Sequence, residues 1–270
     1  RGGLLCWLAP PWPPDGWAVT VCDVGQGDAI ALSAGGGRAV LVDTGLDPLL
    51  IDHCLRDLRI REILLLVLTH GHTDHDGGTS GVLAGREVHA ALVPGGYESP
   101  GTTRELAGAG VPVRTAEAGQ RWRTGPWKLD VLWPPAGTDH DPNDDSIVLL
   151  ARWIPPSDSA ASPMTALLTG DIEEPAQRAL LGEHAVRGVD LLKTPHHGAK
   201  TQEEGFLAAT RPRLAITSVG ADNTYGHPHP GTWELLESLT GANYRTDLHG
   251  DIAVVPGPNG PAATARGRND

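Results

Sequence analysis

The chain has 270 residues, enough for one large domain or two small ones, and its 40% hydrophobic and 20% charged content is that of a globular protein. Its formal net charge of −12 has the wrong sign for a protein that holds nucleic acid through phosphate contacts alone, and the few aromatics supply no obvious base-stacking platform. A local phosphate site centred on divalent cations stays open, because each ion restores two positive charges.

The opening Gly3-Leu4-Leu5-Cys6-Trp7-Leu8-Ala9-Pro10 is apolar but far shorter than the ~20 residues of a spanning helix, and no signal peptide is visible. Residues 1–16, proline-rich from residue 10, are expected to be a linker following a membrane region of a longer protein. Trp17–Asp23 alternates as a strand, Gly25-Gln26-Gly27 turns the chain, and Ala29–Ala34 returns. Gly35-Gly36-Gly37 makes a hairpin into a third strand, Arg38–Val42. Asp47–Leu58 has helical spacing, with Leu49, Leu50, His53, Cys54 and Leu58 on one face. Ile63–Leu68 is an unbroken apolar run, as in a strand buried on both faces.

Further strands are expected at Trp127–Trp133, Ser146–Trp153, Thr165–Thr169, Val189–Lys193, Leu214–Ser218, Tyr244–Thr246 and Ile252–Val255. Helices fit Glu173–Leu181, Glu203–Thr210 and Thr232–Leu239, and residues 154–164 read as a surface loop. The Gly-, Pro- and Ala-rich end, residues 257–270, reads as a flexible tail, leaving 17–256 as the folded domain. Strand clusters with helices between them predict an α/β sandwich, two sheets face to face with helices outside. Cys6, Cys22 and Cys54 have neither disulfide-framework nor zinc-knuckle spacing and read as small buried apolar residues.

The chemistry concentrates where the Ile63–Leu68 strand runs out, in His70-Gly71-His72-Thr73-Asp74-His75. Imidazole and carboxylate are ligands that Zn²⁺ or Mn²⁺ accept, and three His and one Asp within six residues invite two ions. A histidine-rich surface loop is the competing reading, and this density of ligand types argues against it.

Thr-His-x-His-x-Asp-His-x-Gly-Gly, at Thr69–Gly78, resembles the main metal motif of the metallo-β-lactamase superfamily. Asp43-Thr44-Gly45, Leu168-Thr169-Gly170-Asp171 and Lys193-Thr194-Pro195-His196-His197-Gly198 resemble its other motifs. Within it, Asp23-Val24-Gly25-Gln26-Gly27-Asp28-Ala29, Asn143-Asp144-Asp145-Ser146, Asn223-x-Tyr225-Gly226-His227-Pro228 and Tyr244-Arg245-Thr246-Asp247 are similar to the ComEC family, membrane DNA-uptake channel proteins of natural competence. The resemblance covers about residues 15–256.

The resemblance implies the metallo-β-lactamase αββα sandwich, two mixed sheets packed face to face with helices outside. It implies His70 and His72 on a first divalent ion, Asp74 and His75 on a second, and Asp171 bridging them. His197 completes the second site while His196 faces substrate, although either neighbour could be the ligand. Asp43 supports the metal loop from behind. A third His for the first ion has only His89 and His140 as candidates, neither in a recognised context, so that site is expected to be weak or empty. Asp74, His196 and His227 are the expected catalytic residues; Asp28, Asn143, Ser146, Lys193, Asn223 and Tyr225 are expected to hold substrate, with Lys193, at the end of a buried strand beside the ligand loop, placed to hold either a carboxylate or a phosphate.

Metal-activated water attacking a phosphodiester suits this set, with His196 or His227 protonating the departing oxygen. The function implied is a phosphodiesterase or nuclease that degrades the non-transported DNA strand during uptake. Its partners would be single-stranded DNA and the membrane channel of the same polypeptide, on the extracytoplasmic face of the cell membrane. A small-molecule hydrolase of phosphoesters, thioesters or lactams is the first alternative, and a non-catalytic module binding DNA or channel partners is the second. No P-loop or dinucleotide fingerprint is present, so no nucleotide cofactor is expected.

Overall fold

The computed structural model describes residues 11–137, 141–183 and 186–267. The first sheet begins as an antiparallel meander of β1 (Val19–Val21), β2 (Ile30–Gly35) and β3 (Arg38–Val42). Helix α1 (Pro48–Asp57) starts on the Asp47 side chain, which accepts from the Leu49 amide, and crosses to a parallel strand, β4 (Glu62–Val67). Two short helices follow, α2 (Thr73–Asp76) and α3 (Thr79–Leu83), then β5 (Glu87–Val88) and β6 (Ala91–Pro94). Helix α4 (Pro100–Gly108) leads to β7 (Val113–Ala116), which runs parallel to β6.

The second sheet repeats this plan. An antiparallel run, β8 (Arg121–Thr124), β9 (Trp127–Trp133), β10 (Val148–Trp153) and β11 (Met164–Leu168), comes first. Helix α5 (Glu174–Glu183), β12 (Leu191–Lys193), a tight turn at Pro195–Gly198, α6 (Glu204–Thr210), β13 (Leu214–Thr217), α7 (Pro230–Leu239) and β14 (Asn243–Arg245) continue it in parallel. After the short α8 (Thr246–His249), β15 (Ile252–Gly257) and β16 (Gly260–Ala265) return to the first sheet, with β15 pairing β1.

Three apolar layers result. The central one packs Val19, Leu32, Val40 and Val67 of the first sheet against Trp127, Leu149, Leu168 and Ile216 of the second. One outer layer, around Ile51, Leu55 and Leu66, lies under α1. The other, around Leu180, Phe206 and Leu236, lies under the helices of the second sheet. Both expected sheets and their outer helices are therefore present. Strand β4 is buried on both faces, as its unbroken apolar run requires, with Val67 in the central layer and Leu66 under the helices.

Three expectations are corrected. The flexible tail expected from Gly257 is instead the turn and strand β16 over residues 260–265, held by backbone pairing to β15. Helix α1 buries Ile51, Asp52, Cys54 and Leu55, so Leu49, Leu50 and His53 face outward. Cys22 and Cys54 are not free apolar residues: they form a disulfide that ties the end of β1 to α1. Cys6 lies outside the described residues, as do most of the expected linker and His140. Among the described residues, no helix is long and apolar enough to cross a membrane.

Candidate metal centre

Parallel strands end at one edge of each sheet, and the polar loops leaving those ends converge. The loop after β4 carries His70 and His72 and then α2, which holds Asp74 and His75. The loop after β11 supplies Asp171, and the turn after β12 supplies His196 and His197. Two glycines let these loops close up. A Cβ on Gly27 would land on the Asp74 carbonyl oxygen, and one on Gly78 would land on that of Thr44.

Four donors meet: Asp74, His75, Asp171 and His197. His75 Nε2 lies 3.1 Å from Asp171 Oδ2 and 3.3 Å from His197 Nε2. His197 Nε2 is 3.2 Å from Asp171 Oδ2, and Asp74 Oδ2 lies 3.8 Å from His75 Nε2 and 3.6 Å from His197 Nε2. Ligands about 2.0–2.2 Å from a tetrahedral ion stand roughly 3.3–3.6 Å from one another, so these residues fit a divalent cation.

Groups behind the donors fix their orientation. His75 Nδ1 donates to Asp43 Oδ2 at 2.8 Å, and His197 Nδ1 donates to the Ser218 carbonyl at 2.8 Å. Both rings therefore turn Nε2 toward the cluster. Asp43 also accepts from the Thr69 amide and hydroxyl, each at 2.7 Å, which clamps the start of the metal loop. The Asp171 amide donates to Ser146 Oγ at 3.1 Å.

His70 and His72 adjoin this cluster. His70 Nε2 and His72 Nδ1 are 3.1 Å apart, and the His70 and His75 rings are 4.2 Å apart. His70 Nδ1 faces the Thr69 and Ser146 hydroxyls at 3.1 and 3.2 Å, leaving Nε2 for the centre. Of the two candidate third ligands, His89 is on the surface against Glu62 and Glu87, at 3.0 and 3.5 Å, and His140 lies outside the described residues.

The electrostatics suit a cation. Burial alone would lower both pKa values, but Asp171 and Asp43 carry His75 well above its usual value, and Asp171 and Asp28 raise His197 to about 9. Burial and the neighbouring His75 push His70 well below its usual value. Burial would raise the Asp171 carboxyl, yet His197, His75 and Lys193 hold it well below the carboxylate range. The carboxylates that draw protons to His75 and His197 would equally draw a divalent ion, which would displace those protons.

Several expected substrate-binding residues face inward instead. Lys193 is 1% exposed, forms an ion pair with Asp28, stands 3.5 Å from Asp171 Oδ1 and donates to the Gly170 carbonyl at 3.1 Å. Burial would lower its pKa, but Asp28 and Asp171 raise it, so it is a charged strut under the centre. Its partner Asp28 is equally buried, with Oδ1 3.5 Å from His197 Nδ1. Ser146 is fully buried between His70 and Asp171. Asn223 uses its amide to bridge the Gly220 and His227 carbonyls and accepts from the His227 amide, which shapes the loop. Asn143 is half-buried at the edge of the undescribed residues 138–140.

Tyr225 does face solvent, 72% exposed, with its ring 5.7 Å from His227. The His227 ring stands 5.5 Å from that of His196 and 6.2 Å from that of His197. Burial and the neighbouring His197 and His196 lower the His227 pKa to about 4, which opposes the expectation that it is a proton donor. His196 Nδ1 is 2.9 Å from Glu173 Oε1, and its Nε2 is 3.8 Å from Asp171 Oδ2. Sequence reasoning missed Glu173, whose only signal is its place two residues after Asp171, and Ser218, which acts through its backbone.

A cleft of about 640 Å³ opens beside Asp74 and Thr73, lined by the Gly25-Gln26 turn, the 220–225 loop, Leu46, Leu50 and His53, with polar and apolar surface in comparable amounts. Asp23, Asp222 and Asp251 make it acidic, against a single Arg266.

Residues 22–151 match the family model described as the metallo-beta-lactamase superfamily. The chain is 28% identical to ComE operon protein 3 of Bacillus subtilis, over 93% of this chain and 35% of that protein. It is 30% identical to competence protein ComA of Neisseria gonorrhoeae, over 97% of this chain and 35% of that protein. The chain thus spans about a third of the length of these relatives. Among solved structures, a CmlA beta-hydroxylase variant superposes with a TM-score of 0.55 at 14% identity, covering 88% of this chain and 53% of that one, a likeness of fold alone.

Proposed function

The chain is a ComEC-like domain of metallo-β-lactamase fold, and on that premise we propose that it is a metal-dependent phosphodiesterase that acts on single-stranded DNA. The observation that carries this is the convergence of Asp74, His75, Asp171 and His197 at ligand-to-ligand distances beside an open cleft. A bound Zn²⁺ or Mn²⁺ would supply a water acidic enough to act as nucleophile near neutral pH and positive charge for the phosphoryl oxygens. His70 and His72 are the residues for a second ion.

The chain's own groups do the rest. Asp43 and Ser218 hold the two imidazoles in the ligating tautomer. Lys193 balances the carboxylates of Asp28 and Asp171 from below. His196, whose Nδ1 lies 2.9 Å from Glu173 Oε1, turns Nε2 toward Asp171, where it can pass a proton to a departing oxygen. The exposed ring of Tyr225 lines the cleft, stacked on His227. The cleft is open and elongated by its lining from the Gly25-Gln26 turn to the 220–225 loop, which suits a chain-like substrate better than a lactam, for which a compact enclosed pocket is needed.

The Cys22–Cys54 disulfide supports an oxidising compartment, and hence the extracytoplasmic face of the membrane. There the domain would degrade the non-transported strand beside a channel formed by the rest of the same polypeptide. Bis-p-nitrophenyl phosphate, single-stranded DNA and a chromogenic β-lactam, each offered with Mn²⁺ or Zn²⁺, test the reading. Both phosphodiesters should be cleaved, the lactam spared, and the activity lost in His197→Ala. Intact DNA and diester with metal-loaded protein would refute it.

A further inference from the structure

A second concavity, of about 730 Å³, lies at the far end of α1 and is lined by Arg56, Arg59, Arg61 and Arg86. Arg86 is spent on structure: its guanidinium pairs with Asp52 at 2.9 Å and donates to the Ile60, Gly81 and Ala84 carbonyls. Arg56 also pairs with Asp52. Arg59 and Arg61 are exposed and have no acidic partner among the described residues. Of the acids next along the chain, Asp57 pairs with Arg266, and Glu62 and Glu87 face His89. Four guanidiniums against the one Asp52 carboxylate leave an excess of three positive charges, in a chain whose net charge is −12. Planar, fork-shaped guanidiniums in a concave site are suited to phosphate oxygens.

The placement says which phosphates. Leu50 and His53 of α1 line the cleft beside Asp74, and Arg56 of the same helix lines the arginine pocket. Residues three apart on a helix are surface neighbours, roughly 5–6 Å between Cβ atoms. The two concavities are therefore neighbours along α1, separated by the step from His53 to Arg56. From Asp47 to Arg56 the helix covers roughly 13.5 Å, about four steps at the 3.4 Å spacing of stacked nucleotides. Among the described residues, none of the exposed large apolar side chains lines the arginine pocket, so the pocket carries no described anchor of a bilayer-binding surface.

We propose that this pocket is a phosphate-binding extension of the catalytic cleft, in which Arg56, Arg59 and Arg61 hold the backbone of a nucleic-acid strand several nucleotides away from the metal centre. The proposal rests on the phosphodiesterase reading for its ligand. It accounts for how an acidic domain grips a polyanion: the ions hold the reacting phosphate and the arginines hold the strand.

The test is the double variant Arg59→Asn, Arg61→Gln. Arg59 has φ +58°, a left-handed conformation that Asn tolerates, so the backbone is respected. Binding of fluorescein-labelled phosphorothioate oligothymidylates of about three and about twelve nucleotides is followed by anisotropy across a salt series. The variant should bind the longer strand about tenfold more weakly, with the salt slope reduced by about 1.4. It should bind the shorter strand, and hydrolyse bis-p-nitrophenyl phosphate, as the wild type does. Equal binding of the longer strand by both proteins overturns the inference while leaving the phosphodiesterase reading intact. So does a defect confined to anionic phosphatidylglycerol vesicles, which would reassign the pocket to lipid. Conversely, arginine-dependent strand binding without hydrolysis of any diester sinks the phosphodiesterase reading and keeps the pocket.

Discussion

Replacing Asp43 by Asn isolates the orientation of one ligand from every other property of the centre. The substitution is isosteric, and Asn accepts the positive φ of 58° at this position. Its carbonyl oxygen can still accept from the Thr69 amide, but its NH₂ now faces His75 Nδ1 and the Thr69 hydroxyl, where a carboxylate accepted from both. An amide donor opposite Nδ1 stabilises the tautomer with its proton on Nε2, the nitrogen that stands 3.1 Å from Asp171 and 3.3 Å from His197. Metal affinity should therefore fall 10–100-fold, or about 1.4–2.7 kcal/mol. Loss of a buried charge-assisted bond should cost about 1.5–3 kcal/mol of stability as well. Competition with a chromophoric chelator gives the affinity, and urea denaturation gives the stability. If the Asp43→Asn protein binds Mn²⁺ or Zn²⁺ as tightly as the wild type, Asp43 does not set the tautomer, and the reasoning fails.

Other perturbations probe the same frame. Lys193→Met removes the cation between two buried carboxylates and should destabilise the ion-free protein by about 3–5 kcal/mol in denaturant titrations; an unchanged midpoint would mean that Lys193 is not the strut described. The folded pKa of His197 is raised from 6.5 to about 9, so its stabilising contribution is complete below about pH 6.5 and is lost as pH rises to about 9, a change of about 3 kcal/mol. Chelator-treated protein should show that loss in urea midpoints between pH 6 and 9, and metal-loaded protein should not, because the ion replaces the proton; the same slope in both would contradict it. Gly27→Ala forces a methyl onto the Asp74 carbonyl and should weaken metal binding at least tenfold, read by the same chelator competition. Cys22→Ser opens a loop with a sequence separation of 32 and should cost about 3–4 kcal/mol, matched by adding reductant to the wild type.

The parts of the fold legible in sequence are those where local pattern and tertiary environment agree. β3 and β9 lie at the residues expected, because Gly-, Pro- and Asp-containing turns bound them on both sides and β9 alternates between buried and more exposed residues. The buried face of α1 differs from the expected one because Leu49 and Leu50 form one apolar stripe with Cys54 and Leu58, while Ile51, Leu55 and Leu58 form another. Only packing against the first sheet chooses between them. Strand β16 is hidden by composition, since an edge strand held by backbone pairing needs few large apolar side chains. In the site, His70, His72, Asp74 and His75 stand out because their spacing is unusual, whereas Asp171, His196 and His197 are legible only through the resemblance of their motifs to the family. The buried roles of Asp28 and Ser146 depend on partners distant in sequence, which motif position cannot reveal, whereas the place of Lys193 at the end of a buried strand allows for the carboxylate that it holds. The Cys22–Cys54 pair is invisible for the same reason.

Metal stoichiometry by inductively coupled plasma mass spectrometry, after loading with Mn²⁺ or Zn²⁺ and dialysis, tests the centre itself. The wild-type chain should retain at least one ion, and Asp171→Ala, which removes the carboxylate touching both His75 and His197, should retain none at that site. Retention unchanged by Asp171→Ala, or no ion held by the wild type, would show that these four converging side chains are not a metal centre.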